Sequence, residues 1–291
     1  MKPIFGIDVT NDKNSELTYS DLFKTKSLSE ATLRDLDSRR DDLNTTVEKA
    51  KLPGVLTLVM YLGLFWGLIV VGGLFKADVG IEQAIRNAPI LILTGVAALI
   101  VSGVLFIIGK IKNKKVMNEE NADEQLEALD NVADRAFAEL EIPSGAILTD
   151  VLLFKYTIKD GVIKPKTGAL DVCAYINFEM RAYLCDFNLC LADVENVYSF
   201  PLESLRRITT VKKRITVPNW NKEEDYNKGI YKQYKISSNQ YGYSVKPYHI
   251  LELERDGEVY GIYFPSYELP TFESLTLLRA ENPDANDNTK E

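Results

Sequence analysis

Residues 55–75 and 89–108 are two apolar runs without one charged side chain, separated only by residues 76–88. An α-helix rises about 1.5 Å per residue, so about 20 residues carry it across roughly 30 Å of hydrocarbon. Each run has that length. A helix in a globular core rarely needs so long an uninterrupted run, because only a stripe of it faces the core. The spacing therefore predicts a transmembrane hairpin within residues 53–109.

Orientation follows from the cations beside the runs, since Lys and Arg near a span are retained on the cytoplasmic side. Arg34, Arg39, Arg40, Lys49 and Lys51 precede the first run, and Lys110, Lys112, Lys114 and Lys115 follow the second. Between them stand only Lys76 and Arg86, with Asp78 and Glu82. The expectation is a multi-pass protein of the cell (plasma) membrane, both termini cytoplasmic, with a short external loop at 76–88. Residues 1–20 hold no apolar stretch of signal-peptide type, so the first span is expected to act as its own insertion signal. The three cysteines, Cys173, Cys185 and Cys190, are too few and odd in number for a secreted disulfide framework.

The net charge of −8 argues against nucleic acid, whose phosphates require a basic face. The acidity is uneven: residues 145–279 carry as many Lys and Arg as Asp and Glu. Outside the hairpin the chain divides as follows. Residues 1–26 read as an N-terminal strand (3–9), a turn at Asn11-Asp12 and a loop. Residues 27–52 contain an amphipathic helix from about 29 to 49, opened by the capping-box sequence Ser27-Leu28-Ser29-Glu30 and stopped before Pro53. Residues 110–143 hold a second amphipathic helix (119–141), with Leu126, Leu129, Ala133, Ala136, Phe137 and Leu140 on one face. The two helices suit an antiparallel stalk; a homodimeric coiled coil would use the same stripes.

From residue 146 the chain turns to short runs rich in Tyr, Val, Ile and Phe, a β-sheet composition. Strands are expected at 147–158, 174–185, 189–192, 197–200, 205–217, 231–236, 249–254 and 259–264, with hairpin turns at Asp160-Gly161 and Asp256-Gly257. A last helix at 267–278 carries Leu269, Phe272, Leu275 and Leu278 on one stripe, and residues 280–291 read as a polar, disordered tail. About seven strands ending in one helix, with the segment Tyr198-Ser-Phe-Pro-Leu-Glu-Ser-Leu-Arg-Arg-Ile208 between two of them, resemble the pleckstrin-homology-like superfold, especially bacterial PH-like and GRAM-like domains. The resemblance covers residues 145–279 and departs at 217–231, where a longer polar segment is inserted. It implies a half-open barrel plugged by the terminal helix through Phe272 and Leu275, with headgroup or protein ligands near cations at the open end. The expected class is thus an α+β membrane protein: a two-helix hairpin plus a C-terminal PH-like β-barrel or sheet capped by a helix.

The strongest binding candidates are Arg206, Arg207, Lys212, Lys213 and Arg214, because cations held near a bilayer attract anionic lipid heads. A solvated strand face is the plainer reading. Trp220, with Tyr226, Tyr231, Tyr234, Tyr241 and Tyr243, marks an aromatic contact surface or an edge-strand packing role. Within the spans, Gly63 and Gly67 form a GxxxG, and Thr94, Ala98 and Ser102 a small-residue stripe suited to close helix packing, within one chain or between two. Neither span holds an Asp, Glu, Lys, Arg or His, which disfavours an ion or proton path.

No metal site and no catalytic residue is expected. The cysteines lack a ligand-type spacing, and His249 has no adjacent acid or nucleophile. No phosphate loop, dinucleotide fingerprint, G-x-S-x-G or H-E-x-x-H occurs, and no cofactor is implied. The expected role is a membrane-anchored scaffold that positions the β domain at the inner leaflet to bind a protein partner and anionic membrane lipid. The alternatives are a membrane-complex subunit working through its hairpin, with homo-oligomer formation, and a membrane-surface enzyme lacking a recognisable motif.

Overall fold

In a computed structural model the described residues are 1–10, 19–76, 86, 88–166, 175–217, 233–234, 236–239 and 242–281. The chain is α+β, with five α-helices among these residues and a β-sheet that curls into a half-barrel. It divides into two compact units, residues 30–134 and residues 1–29 with 135–291.

The helical unit contains α1 (Glu30–Ala50), α2 (Gly54–Lys76), α3 (Pro89–Glu119) and most of α4 (Ala122–Glu139). Pro89 opens α3 at its first turn, where the missing N–H is no loss. α2 and α3 are long and apolar enough to cross a membrane, and only 11% of each apolar stretch is buried within the chain. Leu58, Leu62, Phe65, Leu68, Ile69, Leu93, Ile100 and Ile107 all face outward. So wide an apolar surface is rare on a protein bathed in water.

α3 does not end with the apolar run. Nothing in Gly109–Lys115 breaks a helix, so α3 runs on for 31 residues, about 46 Å, and carries four lysines past the apolar stretch. The amphipathic helix expected from 119 starts at Ala122, after Asn121 in the left-handed region at φ 50°. α1 packs within the same chain: Thr46 Oγ1 donates to Gln125 Oε1 at 3.1 Å, and Lys49 pairs with Glu120 at 2.9 Å.

The β unit draws on both ends of the chain. Its strands are β1 (Lys2–Pro3), β2 (Gly6–Asp8), β3 (Lys24–Ser27), β4 (Ile147–Lys159), β5 (Val162–Pro165), β6 (Tyr175–Cys185), β7 (Asn188–Ala192), β8 (Asn196–Pro201), β9 (Leu205–Val211), β10 (Ile215–Val217), β11 (Ser237–Asn239), β12 (Gly242–Val245), β13 (Tyr248–Arg255), β14 (Glu258–Pro265) and β15 (Ala280–Glu281). One sheet runs β1-β14-β13-β9-β15, a second β2-β4-β6-β7-β8-β3 with β5 on β4, and a third β10-β12-β11. A final helix, α5 (Leu269–Thr276), follows a 3-10 turn at Ser266–Glu268.

The strand expected at 3–9 is kinked into two pieces that serve two sheets. β1 pairs in parallel with β14, and β2 in parallel with β4. Between them Ile4 and Phe5 drop into the main core. Gly6 permits this approach, since a Cβ there would stand 2.8 Å from the Tyr156 ring. The segment expected as loop before residue 27 supplies β3, antiparallel to β8.

Two cores result. The first lies between the two large sheets and gathers Phe5, Phe23, Val151, Leu191, Phe200, Leu253 and Ile262; Phe272 of α5 closes it, its ring 4.1 Å from that of Phe264. The second is rich in tyrosine: Leu152, Phe154 and Tyr156 of β4, with Tyr175, Tyr248 and Tyr263, pack against Ile215, Val217, Tyr243 and Val245 of the small third sheet. β4 thus passes from one core to the other: Val151 belongs to the first and Leu152, Phe154 and Tyr156 to the second, and its continuous apolar run, 151–154, lies at the crossing.

Three expectations change. The strand expected at 205–217 is two strands in different sheets, because Lys212, Lys213 and Arg214 cannot be buried and form the exposed corner between them. Residues Ala280 and Glu281, expected in the tail, pair in parallel with Ile208 and Thr209. Of the strand expected at 231–236, only Gln233, Tyr234 and Ile236 are described, none of them as strand. The turn expected at Asn11-Asp12, residues 77–85 and 87 of the external loop expected at 76–88, and residues 282–291 of the expected tail lie outside the described residues.

Candidate functional site

The five cations of the basic run occupy two different settings. Leu253 pairs with Leu205 and Glu252 with Arg207, so Arg206 is the extra residue of a β-bulge, and both arginines emerge on the solvent side. Each meets a carboxylate there. Arg206 pairs with Glu254 at 3.3 Å, and Arg207 pairs with Glu252 at 3.0 Å and Glu281 at 3.5 Å. The Glu252 bond and charge raise the Arg207 guanidinium further above its ordinary value. Lys212, Lys213 and Arg214 lie beyond, on the exposed corner. The run is not one unopposed basic face: its first two members are neutralised by the neighbouring strand.

The aromatic surface expected after β10 also divides. Tyr243 is wholly buried, its hydroxyl 3.0 Å from that of Tyr267, and the Tyr234 ring lies beside Tyr267. These two are core residues. Trp220, Tyr226, Tyr231 and Tyr241 lie outside the described residues.

In the hairpin, α2 and α3 meet along small residues. A Cβ on Gly63 would stand 2.5 Å from Ser102 Oγ and 3.1 Å from the Ala98 carbonyl; on Gly67 it would stand 2.3 Å from Leu99 Cγ. Gly95, facing Val70, completes the seam. Thr94 stands off it, exposed, with its hydroxyl bonded to the Leu91 carbonyl of its own helix. The seam is therefore used within the chain.

Two titratable groups stand out that the sequence reading passed over. Asp150 lies mid-strand in β4, where burial raises its carboxyl above the usual range against the opposing bonds from Tyr267 and Asn177. Tyr267 donates to Asp150 Oδ2 at 2.8 Å. Next to it, Glu268 is raised by burial first and by the Asp150 charge in addition, and accepts a 2.8 Å bond from Thr149. The pair fastens the 3-10 turn before α5 to β4. An acid next to the apolar run 151–154 was the available signal.

His249 is 3% exposed, stacked on Phe264 and 3.2 Å from Thr210 Oγ1. Burial pushes its imidazole down to about 4, opposed by the Glu273 charge. Cys190 is buried against Ser199, Cys185 is exposed, and Cys173 lies outside the described residues. Among the described residues no group of three His, Cys, Asp or Glu could hold a metal ion.

No protein family, no curated protein and no solved structure matches the chain.

Proposed function

We propose that this protein is a membrane-anchored binding module: α2 and α3 cross the bilayer as a hairpin, and the PH-like β domain, assembled beside the inner leaflet, engages a protein partner. The observation that carries this reading is the pairing of β1, β2 and β3 with β14, β4 and β8. Segments before and after the hairpin fold into one sheet system, so both must lie in one compartment. Two spans meet that requirement, and the lysines around them favour the cytoplasmic side.

The contact surface we assign is the β6–β7 tip. Asp186 and Phe187 both have positive φ, 47° and 62°, the geometry of a turn that prefers Asn or Gly. Phe187 is nevertheless 90% exposed there, close in sequence to exposed Leu184 and Cys185. A bulky side chain that bears backbone strain while gaining no burial is accounted for by contact with a partner. The perturbed groups Asp150, Glu268 and His249 hold structural bonds, which supports binding over catalysis. The GxxxG seam is occupied inside the hairpin, which favours anchoring over oligomer formation.

Cys185 offers the test. In the full-length chain with Cys173→Ser and Cys190→Ala, an impermeant maleimide is expected to label exposed Cys185 in inside-out vesicles and not in right-side-out ones, and a version that also carries Cys185→Ser and Thr10→Cys to behave alike. Labelling of the two positions from opposite faces would overturn the hairpin. A photo-crosslinker placed on Cys185 in intact membranes is expected to trap a second protein, less so with Phe187→Ser; no adduct would remove the binding role.

A further inference from the structure

The joint between α1 and α2 forms, with α3, a groove of about 890 Å³ lined by Lys51, Leu52, Met60, Phe106, Lys110 and Lys114 among others. Gly109 makes the joint tight, since a Cβ there would stand 2.9 Å from Leu52 Cδ1. Lys112 braces it by donating to the Lys51 carbonyl at 2.6 Å. We propose that this groove binds one anionic phospholipid, its phosphate among Lys51, Lys110 and Lys114 and an acyl chain along Leu52, Met60 and Phe106. The proposal rests on the membrane-hairpin reading and adds a specific lipid site to it.

Among the described residues no carboxylate lines the groove, and Lys51, Lys110 and Lys114 form no ion pair, unlike Lys49 with Glu120 and Lys115 with Glu119 nearby. Lys110 instead lies over the Phe106 ring at 5.7 Å. α2 begins at this point, so the positive end of a 23-residue helix adds to the three ammonium groups. The walls choose a lipid over a free anion. Leu52, Met60, Phe106 and Ile111 give them a hydrocarbon half, and they stand where the uncharged run of α3 ends at Ile108 and the lysines begin. Phosphate in water has no use for that surface, whereas a lipid matches both halves of it.

The full-length chain is extracted in mild detergent from vesicles of equal phosphatidylglycerol and phosphatidylcholine, and retained lipid is counted by native mass spectrometry. Phosphatidylglycerol is expected to exceed phosphatidylcholine by roughly tenfold or more. The triple variant Lys51→Gln, Lys110→Gln, Lys114→Gln should lose that preference and the triple Arg variant keep it, both showing wild-type helix content by circular dichroism. Met60→Trp, which fills the acyl half and leaves the charges, should also release the lipid. Equal retention of both lipids by the wild type, an unchanged preference in the Gln variant, or displacement by inorganic phosphate overturns the site. An alkaline carbonate wash of the same membranes separates the two readings. A chain that stays in the pellet without lipid preference loses only the groove, and a chain that is released loses the hairpin as well.

Discussion

The Phe154 amide donates to the Phe5 carbonyl at 2.9 Å, joining the first residues of the chain to a strand that begins beyond the second apolar helix. Phe5 is 1% exposed and its ring meets Phe178, Tyr198 and Phe200 edge-on. Phe5→Ala is expected to destabilise the β domain by about 3–5 kcal/mol, and Phe5→Leu by about 1.5 kcal/mol or less. Urea unfolding of the full-length chain, followed by tyrosine fluorescence, measures both. If Phe5→Ala costs no more than an exposed substitution, the N-terminal strands do not belong to the domain.

Bulk at Gly67 should push α2 from α3, since a Cβ already stands within the Leu99 side chain. Gly67→Leu is expected to cost about 1–3 kcal/mol from overpacking, read as a lower unfolding midpoint in detergent at unchanged molecular mass. Gly72→Ala and Gly73→Ala, where a Cβ meets nothing within 4 Å, serve as controls expected to be neutral. A fall in mass with Gly67→Leu would show that the seam joins two chains instead.

Acid should loosen the domain through His249. Its folded value is depressed to about 4 from an ordinary value of 6.5, so the unfolded chain takes up a proton that the folded chain refuses between those limits. The associated stability is complete above pH 6.5 and is lost as the pH falls towards 4, by about 3 kcal/mol. His249→Gln should flatten that slope of denaturation midpoint against pH; a slope unaltered by the substitution would assign the effect to other groups.

Asp150 and Glu268 act in the opposite sense. Their folded values are raised, so the folded chain holds protons more tightly, and the stability this gives is complete below the ordinary carboxylate range and is lost as pH rises through the folded values. Asp150→Asn with Glu268→Gln keeps acceptors for Tyr267 and Thr149 while removing the charge. The double variant should melt above the wild type at pH 8 and converge with it in acid.

The apolar helices, α1, most β strands and two of the hairpin turns were legible because each follows a local rule. Twenty uncharged residues, a capping sequence and an Asp-Gly pair each report on their own neighbourhood. The third tight hairpin was not, since Asp186-Phe187 places a residue at positive φ that turn chemistry would not select. β3 was hidden for another reason: Lys24-Thr25-Lys26-Ser27 has no apolar alternation and is a strand only because β8 offers it an edge. The basic run read as a patch because a sequence shows its cations together and not the acids of β13 that face them. The Asp150–Tyr267 bond was invisible because its partners are 117 residues apart.

Because β2, β3 and β1 find their partners only after about 150, 170 and 260 further residues have been made, synthesis at roughly 5–20 residues per second leaves them waiting for about 7–52 s. During that interval both apolar segments leave the ribosome. On the proposed topology, insertion of the hairpin comes before closure of the domain, and a chain that threads only one segment would strand its first residues across the bilayer from β4, β8 and β14. The three open edges it would then expose distinguish a misinserted copy from a finished one, so on that topology folding of the β domain certifies the insertion of its own anchor.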